Sequence, residues 1–297
     1  MATSVLFSQL ASFLAAGGLL GAVRRASDPA VYCRVARPDG PDAYGRVQDA
    51  GVRLLDAAPW HGGRETGVVV PLAGARLLPP SEPRNILCLA NAYAGKEKTP
   101  PKFIRWFAKT PGAVATDGDT IEIPAIVDQL KSEVEVVIVV GRRLKNATEA
   151  EAGAAIFGYS TGNEIFGFAE SFQKVNREAA GRAEVMLAAG LKLGDKFTPF
   201  GPFIHAGSDW PDRACTLTVS NAATGKRLEY RGDTRGFLYT PARVLRDLSR
   251  VLTLEPGDLV FTGTQRALVL DAGDEVVADI AGLGRLTNRI VAAARPA

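Results

Sequence analysis

Apolar positions along the chain fall into three patterns, and each predicts a different kind of element. From Ser4 to Val23 the chain is almost continuously apolar, relieved only by Ser8, Gln9 and Ser12, and Arg24-Arg25 follow it. The stretch approaches a membrane span in length, but Gln9 and Gly17-Gly18 dilute it, and no basic segment precedes it as in a secretory signal. It predicts a helix capped by Ser4 that packs on the protein or on a second subunit, with membrane contact the less favoured alternative.

From about Val31 to Leu78 the pattern changes to short β-type runs, V-Y-C-R-V-A, G-V-R-L-L and G-V-V-V-P-L, separated by turn residues such as Pro38-Asp39-Gly40. Pro79-Pro80-Ser81-Glu82-Pro83 then punctuates the chain like a linker. The expected division is an apolar helical extension over 1–28, a small N-terminal domain over 29–80 and a main domain over 81–297.

The third pattern begins with the strand-like R-N-I-L-C-L-A-N-A-Y. It leads into A-G-K-E-K-T-P-P-K, a polar segment suited to a mobile loop or to a plain solvated one. Further on, K-S-E-V-E-V-V-I-V-V-G places Glu133 and Glu135 immediately before five consecutive apolar residues, Val136 to Val140. Residues i and i+2 of a strand share a face, so both carboxylates project together, roughly 7 Å apart at the backbone. Such a pair commonly marks a solvent-facing edge. Here it leads into a run that reads as a strand buried on both faces. Glu164, closing the next apolar segment G-Y-S-T-G-N-E, could complete an all-oxygen site for a hard divalent ion.

Composition narrows the chemistry. With 46% hydrophobic and 23% charged residues over 297 positions, the chain can bury a large core and a smaller companion. A formal net charge of +3 without a basic run argues against nucleic acid or an acidic membrane as the main partner, and for a small molecule. Three scattered cysteines, Cys33, Cys88 and Cys215, fit a reducing compartment and no disulfide framework, so a cytoplasmic location is expected. Only His61 and His205 are present, which excludes multi-histidine metal sites. Any chemistry therefore falls to carboxylates, lysines and water.

Several further segments occur in a specific order: P-P-S-E-P-R-N-I-L-C-L-A-N, F-A-K-T-P, G-D-T-I-E-I-P, S-E-V-E-V-V-I-V-V-G, G-Y-S-T-G-N-E, K-L-G-D-K-F-T-P-F-G-P, L-E-P-G-D-L-V-F-T-G-T and G-D-E-V-V-A-D-I-A-G-L-G-R-L-T-N. In that order they resemble the fumarylacetoacetate hydrolase family over roughly residues 79 to 292. The resemblance implies a mainly β fold with some α: a mixed β-sandwich or β-roll catalytic domain, often a homodimer, behind a small N-terminal α+β domain. It also implies Mg²⁺, or Mn²⁺ or Ca²⁺ in its place, held by Glu133, Glu135 and Glu164. Lys192 matches the family lysine that orients a substrate oxygen or a metal ligand. Lys109 and Thr264 match substrate-side positions.

The departures from the family pattern shape the expected function. Glu164 stands where the family has Asp. The N-A-Y-A-G-K-E-K segment has Gly95 or Lys96 in place of the family's lid histidine and leaves Glu97 as the nearby carboxylate that could act as a base. Phe168 and Ser171 replace an arginine and a glutamine, and Gln265 replaces the usual proline. Phe166, Phe168 and Phe172 could give the substrate a more apolar floor or could be core. Lys174, Arg177 and Arg182 could compensate for the lost arginine. His205 reads as structural, and His61 receives no chemistry.

The resulting expectation is a metal-dependent enzyme that hydrolyses, decarboxylates or isomerises a 2-oxo acid or dicarbonyl through an enolate. The alternative is a family member that keeps the metal but has lost hydrolysis and serves in binding.

Overall fold

The structure is a computed structural model that describes residues 29–95, 100, 102–125, 127–168, 191–209 and 212–293. The expected helix from Ser4 to Val23 lies outside them. Among the described residues no helix is long and apolar enough to cross a membrane.

The N-terminal strands are β1 (Ala30–Val35), β2 (Ala43–Gln48), β3 (Gly51–Leu55), β4 (Glu65–Pro71) and β5 (Leu77–Leu78). They are followed by β6 (Ile86–Leu89), β7 (Trp106–Lys109), β8 (Val114–Ala115), β9 (Thr120–Ile123), the long β10 (Gln129–Val140) and the long β11 (Ile156–Phe168). The chain continues through β12 (Thr198–Pro199), β13 (Ile204–Ala206), β14 (Ala214–Asn221), β15 (Lys226–Asp233), β16 (Leu259–Phe261), β17 (Leu268–Leu270), β18 (Glu275–Ile280) and β19 (Gly284–Ala292). The helices Glu149–Ala154 and Pro241–Val251 pack on each other, and Thr148 closes a capping box with Glu151.

One sheet runs β4-β3-β2-β1-β13-β11-β10-β16-β6-β7, with β5 on β1 and β17 on β10. A second runs β15-β14-β18-β19-β9. Their facing sides enclose the main core. β14 alternates buried and half-exposed residues along its length, as a strand with one face on a core must, and Leu217 and Val219 meet Leu130, Val134 and Val136 of β10 there.

β10 explains the placement of the site. One face, Leu130, Val134, Val136, Ile138 and Val140, joins the main core, while Val137 and Val139 on the other face pack with Ile86, Cys88, Phe200, Leu259 and Phe261. Glu133 and Glu135 share this second face, where the apolar floor ends. Gly162, paired with Glu135, is required by close approach. A Cβ there would lie 2.4 Å from Val137 Cγ2 and 2.5 Å from Phe261 Cε1.

Among the described residues, the small N-terminal segment is built of strands without an α-helix. Residues 29–80 form five strands and one 3-10 turn, and β1 pairs with β13, so its sheet is continuous with that of the main domain. The proline-rich segment is packed rather than a loose linker, because the buried Ser81 hydroxyl donates to Gly257 O at 2.7 Å. Trp60 packs edge-on against Phe157 across the same boundary.

Candidate functional site

Antiparallel pairing of β10 with β11 puts Glu133 directly opposite Glu164, and Glu135 stands one pleat further along. The three side chains converge, each offering a carboxylate oxygen within 4.8 Å of the others. The site combines one residue pair two apart on a strand with one cross-strand neighbour, so register alone assembles it.

Two lysines approach from different elements. Lys109, the last residue of β7, is fully buried. Its Nζ donates to Ile165 O at 2.6 Å and Phe197 O at 2.8 Å, and lies 2.5 Å from Glu164 Oε1. Glu164 Oε1 is thus ion-paired with a buried ammonium that it shares with two carbonyls. Lys192 donates to Glu164 Oε2 at 2.8 Å, and its Nζ sits 4.0 Å from the Phe166 ring centroid and 4.5 Å from that of Phe107. Its side chain is 24% exposed, so one side stays open.

Electrostatics distinguish the three carboxylates. Burial raises the Glu133 pKa first, and the charge of Glu164 adds to it, so that it is pushed up to about 8. Burial likewise drives Glu135 well above the usual carboxylate range, reinforced by Glu133 and Glu164, while the Gly263 N–H, donating to Glu135 Oε2 at 2.6 Å, opposes the rise. For Glu164 burial also works against the charged form, but Lys109 and Lys192 outweigh it and hold the pKa below its ordinary value. Crowded carboxylates at this level of burial retain protons unless a cation joins them. The oxygen-only donor set and the convergence of the three carboxylates fit a hard divalent ion.

The other expected residues are distributed as follows. Thr264 is half-buried and directly follows Gly263, which binds Glu135 through its backbone. Phe166 and Phe168 belong to strand β11 rather than to a helix, and nothing is described of the Phe168 side chain. Lys109, expected on the substrate side, is buried with its ammonium against Glu164. Glu97, Ser171, Phe172, Lys174, Arg177 and Arg182 lie outside the described residues. His205 sits on β13 with Nε2 3.1 Å from Leu283 O, and His61 closes a surface 3-10 turn. Sequence reasoning missed the Gly263 N–H and the Phe107 ring. The T-G-T after an apolar strand was the available signal for the first, and nothing marked the second.

Two family models match the chain: "Fumarylacetoacetate (FAA) hydrolase C-terminal" over residues 84–291, and "Rv2993c-like, N-terminal" over residues 32–80. The chain belongs to the fumarylacetoacetate hydrolase family. Among curated relatives, the homoprotocatechuate catabolism bifunctional isomerase/decarboxylase of Escherichia coli is 32% identical over 197 residues, covering 66% of this chain and 43% of that protein. The chain thus matches less than half the length of that relative. The crystal structure of 5-carboxymethyl-2-hydroxymuconate delta-isomerase from Mycobacterium smegmatis is 29% identical, with a TM-score of 0.76 over 89% of this chain and 100% of that one. Fumarylpyruvate hydrolase from Pseudomonas aeruginosa, solved with Mn²⁺ and pyruvate, shares the fold at 24% identity and a TM-score of 0.59, covering 73% of this chain and 92% of that one. These relatives in the fumarylacetoacetate hydrolase family are isomerases, decarboxylases and hydrolases by name, so enzymes of this family share the mainly β architecture described above.

Proposed function

We propose that this fumarylacetoacetate hydrolase family member is a divalent-metal-dependent enzyme acting on a 2-oxo acid or 1,3-dicarbonyl compound through an enolate. The observation that carries this reading is the convergence of Glu133, Glu135 and Glu164, each with a carboxylate oxygen within 4.8 Å of the others. These three residues would hold Mg²⁺ or Mn²⁺, and Ca²⁺ suits the same donors. When bound, such an ion supplies Lewis-acid polarisation of a carbonyl and stabilisation of enolate charge.

The chain's own groups supply the rest. With a dication bound and all three carboxylates ionised, the two ammonium groups leave the site with one net positive charge, matched to a monoanionic 2-oxo acid head. Lys109 fixes Glu164 through its buried ammonium. Lys192, stacked between Phe107 and Phe166, presents its open side to a substrate oxygen. Thr264 and Phe168 belong to the substrate side in this reading, and Glu97 to proton transfer. No histidine serves the site, because His205 is engaged at Leu283 O and His61 lies in the N-terminal segment. Decarboxylation or isomerisation therefore gains weight over hydrolysis, which needs water activated by a base.

The missing histidine also favours a second reading, a metal-binding family member without hydrolase activity. Both are tested by titrating Mn²⁺ into wild type and Glu135→Ala while assaying oxaloacetate and a panel of acylpyruvates. Turnover that requires Glu135 supports the enzyme. Metal binding without turnover across the panel supports the second reading, and absence of metal binding in the wild type overturns both.

A further inference from the structure

The face of β10 and β11 turned away from the carboxylates carries a polar pair that packing does not require. Ser132 and Asn163 are buried, at 0% and 1% exposure, on the side where Leu130, Val134 and Ile165 join the main core. Ser132 also stands opposite Leu268 of β17, so the pair is set among apolar side chains. The Ser132 hydroxyl donates to Asn163 Oδ1 at 2.6 Å, and among the described residues Asn163 Nδ2 meets no acceptor. Burying an amide with unmet donors costs stability, and a hydrocarbon pair of similar shape would avoid that cost.

What the pair supplies is direction. Ser132 pairs in register with Ile165 and Asn163 with Val134, while Glu133 pairs with Glu164 between them. The Ser132–Asn163 bond therefore crosses the two strands diagonally, on the reverse side of the carboxylate pair. Ladder hydrogen bonds run perpendicular to antiparallel strands and resist their separation, whereas a diagonal side-chain bond resists one strand sliding along the other. Such a slide would carry Glu164 on β11 past Glu133 and Glu135 on β10, and so change the oxygen spacing on which ion coordination depends.

We infer that the Ser132–Asn163 pair is a metal-selectivity device, holding β10 and β11 in the alignment whose carboxylate spacing suits a small ion of strict octahedral demand. This rests on the metal site proposed above and adds how that site discriminates between ions. Mg²⁺ needs oxygens at about 2.0–2.1 Å in near-ideal geometry, while Ca²⁺ accepts about 2.3–2.6 Å and a flexible arrangement. A stiff alignment therefore favours Mg²⁺, and a loosened one gives up that preference. Ser132 and Asn163 face away from the carboxylates, so both are positioning residues.

The test measures Mg²⁺ and Ca²⁺ affinities of the full chain by calorimetry, and the urea unfolding midpoint with chelator present. Wild type is compared with the double variant Ser132→Ala/Asn163→Leu, which removes both polar partners. The double variant should unfold at a midpoint no lower than the wild type, yet bind Mg²⁺ about tenfold more weakly, the usual cost of losing a group that orients a metal ligand. Its Ca²⁺ affinity should fall by less than about threefold, so the preference shifts toward Ca²⁺. Ser132→Ala alone changes little volume and should show the same shift, at a lower midpoint because Asn163 then loses its partner; it carries the test if the double variant does not fold. Ser132→Thr keeps the hydroxyl and should keep the wild-type ratio of the two affinities. An unchanged ratio in the double variant and in Ser132→Ala, or an equal loss of both ions, overturns the inference while leaving the metal reading intact. Failure of the wild type to bind either ion overturns both.

Discussion

Lys109→Met tests whether the buried ammonium holds the site together. Methionine keeps the length and most of the volume of the lysine stem, so the change isolates the charge and its donors. The fully buried Nζ touches Glu164 Oε1 at 2.5 Å, Ile165 O at 2.6 Å and Phe197 O at 2.8 Å. Phe197 O keeps a second donor, the Ile165 N–H at 3.0 Å, and Glu164 keeps Lys192. Breaking a buried ion pair by removing one partner costs about 3–5 kcal/mol, and the remaining lysine offsets part of that. The expected loss is therefore about 3 kcal/mol in urea unfolding followed by tryptophan fluorescence with chelator present. Adding Glu164→Gln removes the carboxylate left without its partner, so the double variant should be more stable than the sum of the singles predicts by about 2 kcal/mol. A loss below about 1 kcal/mol for Lys109→Met, or additivity within about 0.5 kcal/mol, would refute the assignment of Lys109 as the counter-charge of Glu164.

Two further outcomes follow from local packing and burial. Gly162→Ala, whose new methyl meets Val137 and Phe261 at 2.4 and 2.5 Å, should cost about 2–3 kcal/mol in the same assay and weaken Mn²⁺ binding, because Gly162 pairs with Glu135; a neutral effect on both would contradict the close approach. Burial pushes Asp117 up to about 6 from an ordinary 3.8, although the Thr287 N–H on its Oδ1 at 2.7 Å opposes the rise. The folded state thus holds this proton more tightly than the unfolded chain. Its contribution is fully present below pH 3.8 and is lost as pH rises through 6. Asp117→Asn should flatten that decline and add at most about 3 kcal/mol at pH 7; unfolding midpoints with an unchanged pH profile would exclude this origin.

Much of the site was legible because strand geometry is local. Glu133 and Glu135 had to share a face, and the five apolar residues after them had to be covered on both sides, as Val136 to Val140 are. The partners were not legible from local pattern, and Lys192 came only through the family resemblance. Lys192 reaches Glu164 across 28 positions and the Gly263 N–H reaches Glu135 across 128, distances over which period and propensity carry no information. The segment Pro79 to Pro83 shows the same limit from the other side. Its prolines announce a break in regular structure, yet Ser81 is buried because its hydroxyl has a carbonyl to bind in a loop far along the chain.

By itself, then, the sequence determined the strand period, the two carboxylates on one face and, through the order of its motifs, the family. Only the tertiary structure decided that Glu164 stands opposite Glu133, that the Lys109 ammonium is buried against Glu164, and that the N-terminal strands continue the main sheet. The physical reason is that side-chain direction follows from each strand's own backbone, whereas register and the burial of a charge depend on which distant segment comes to lie beside it.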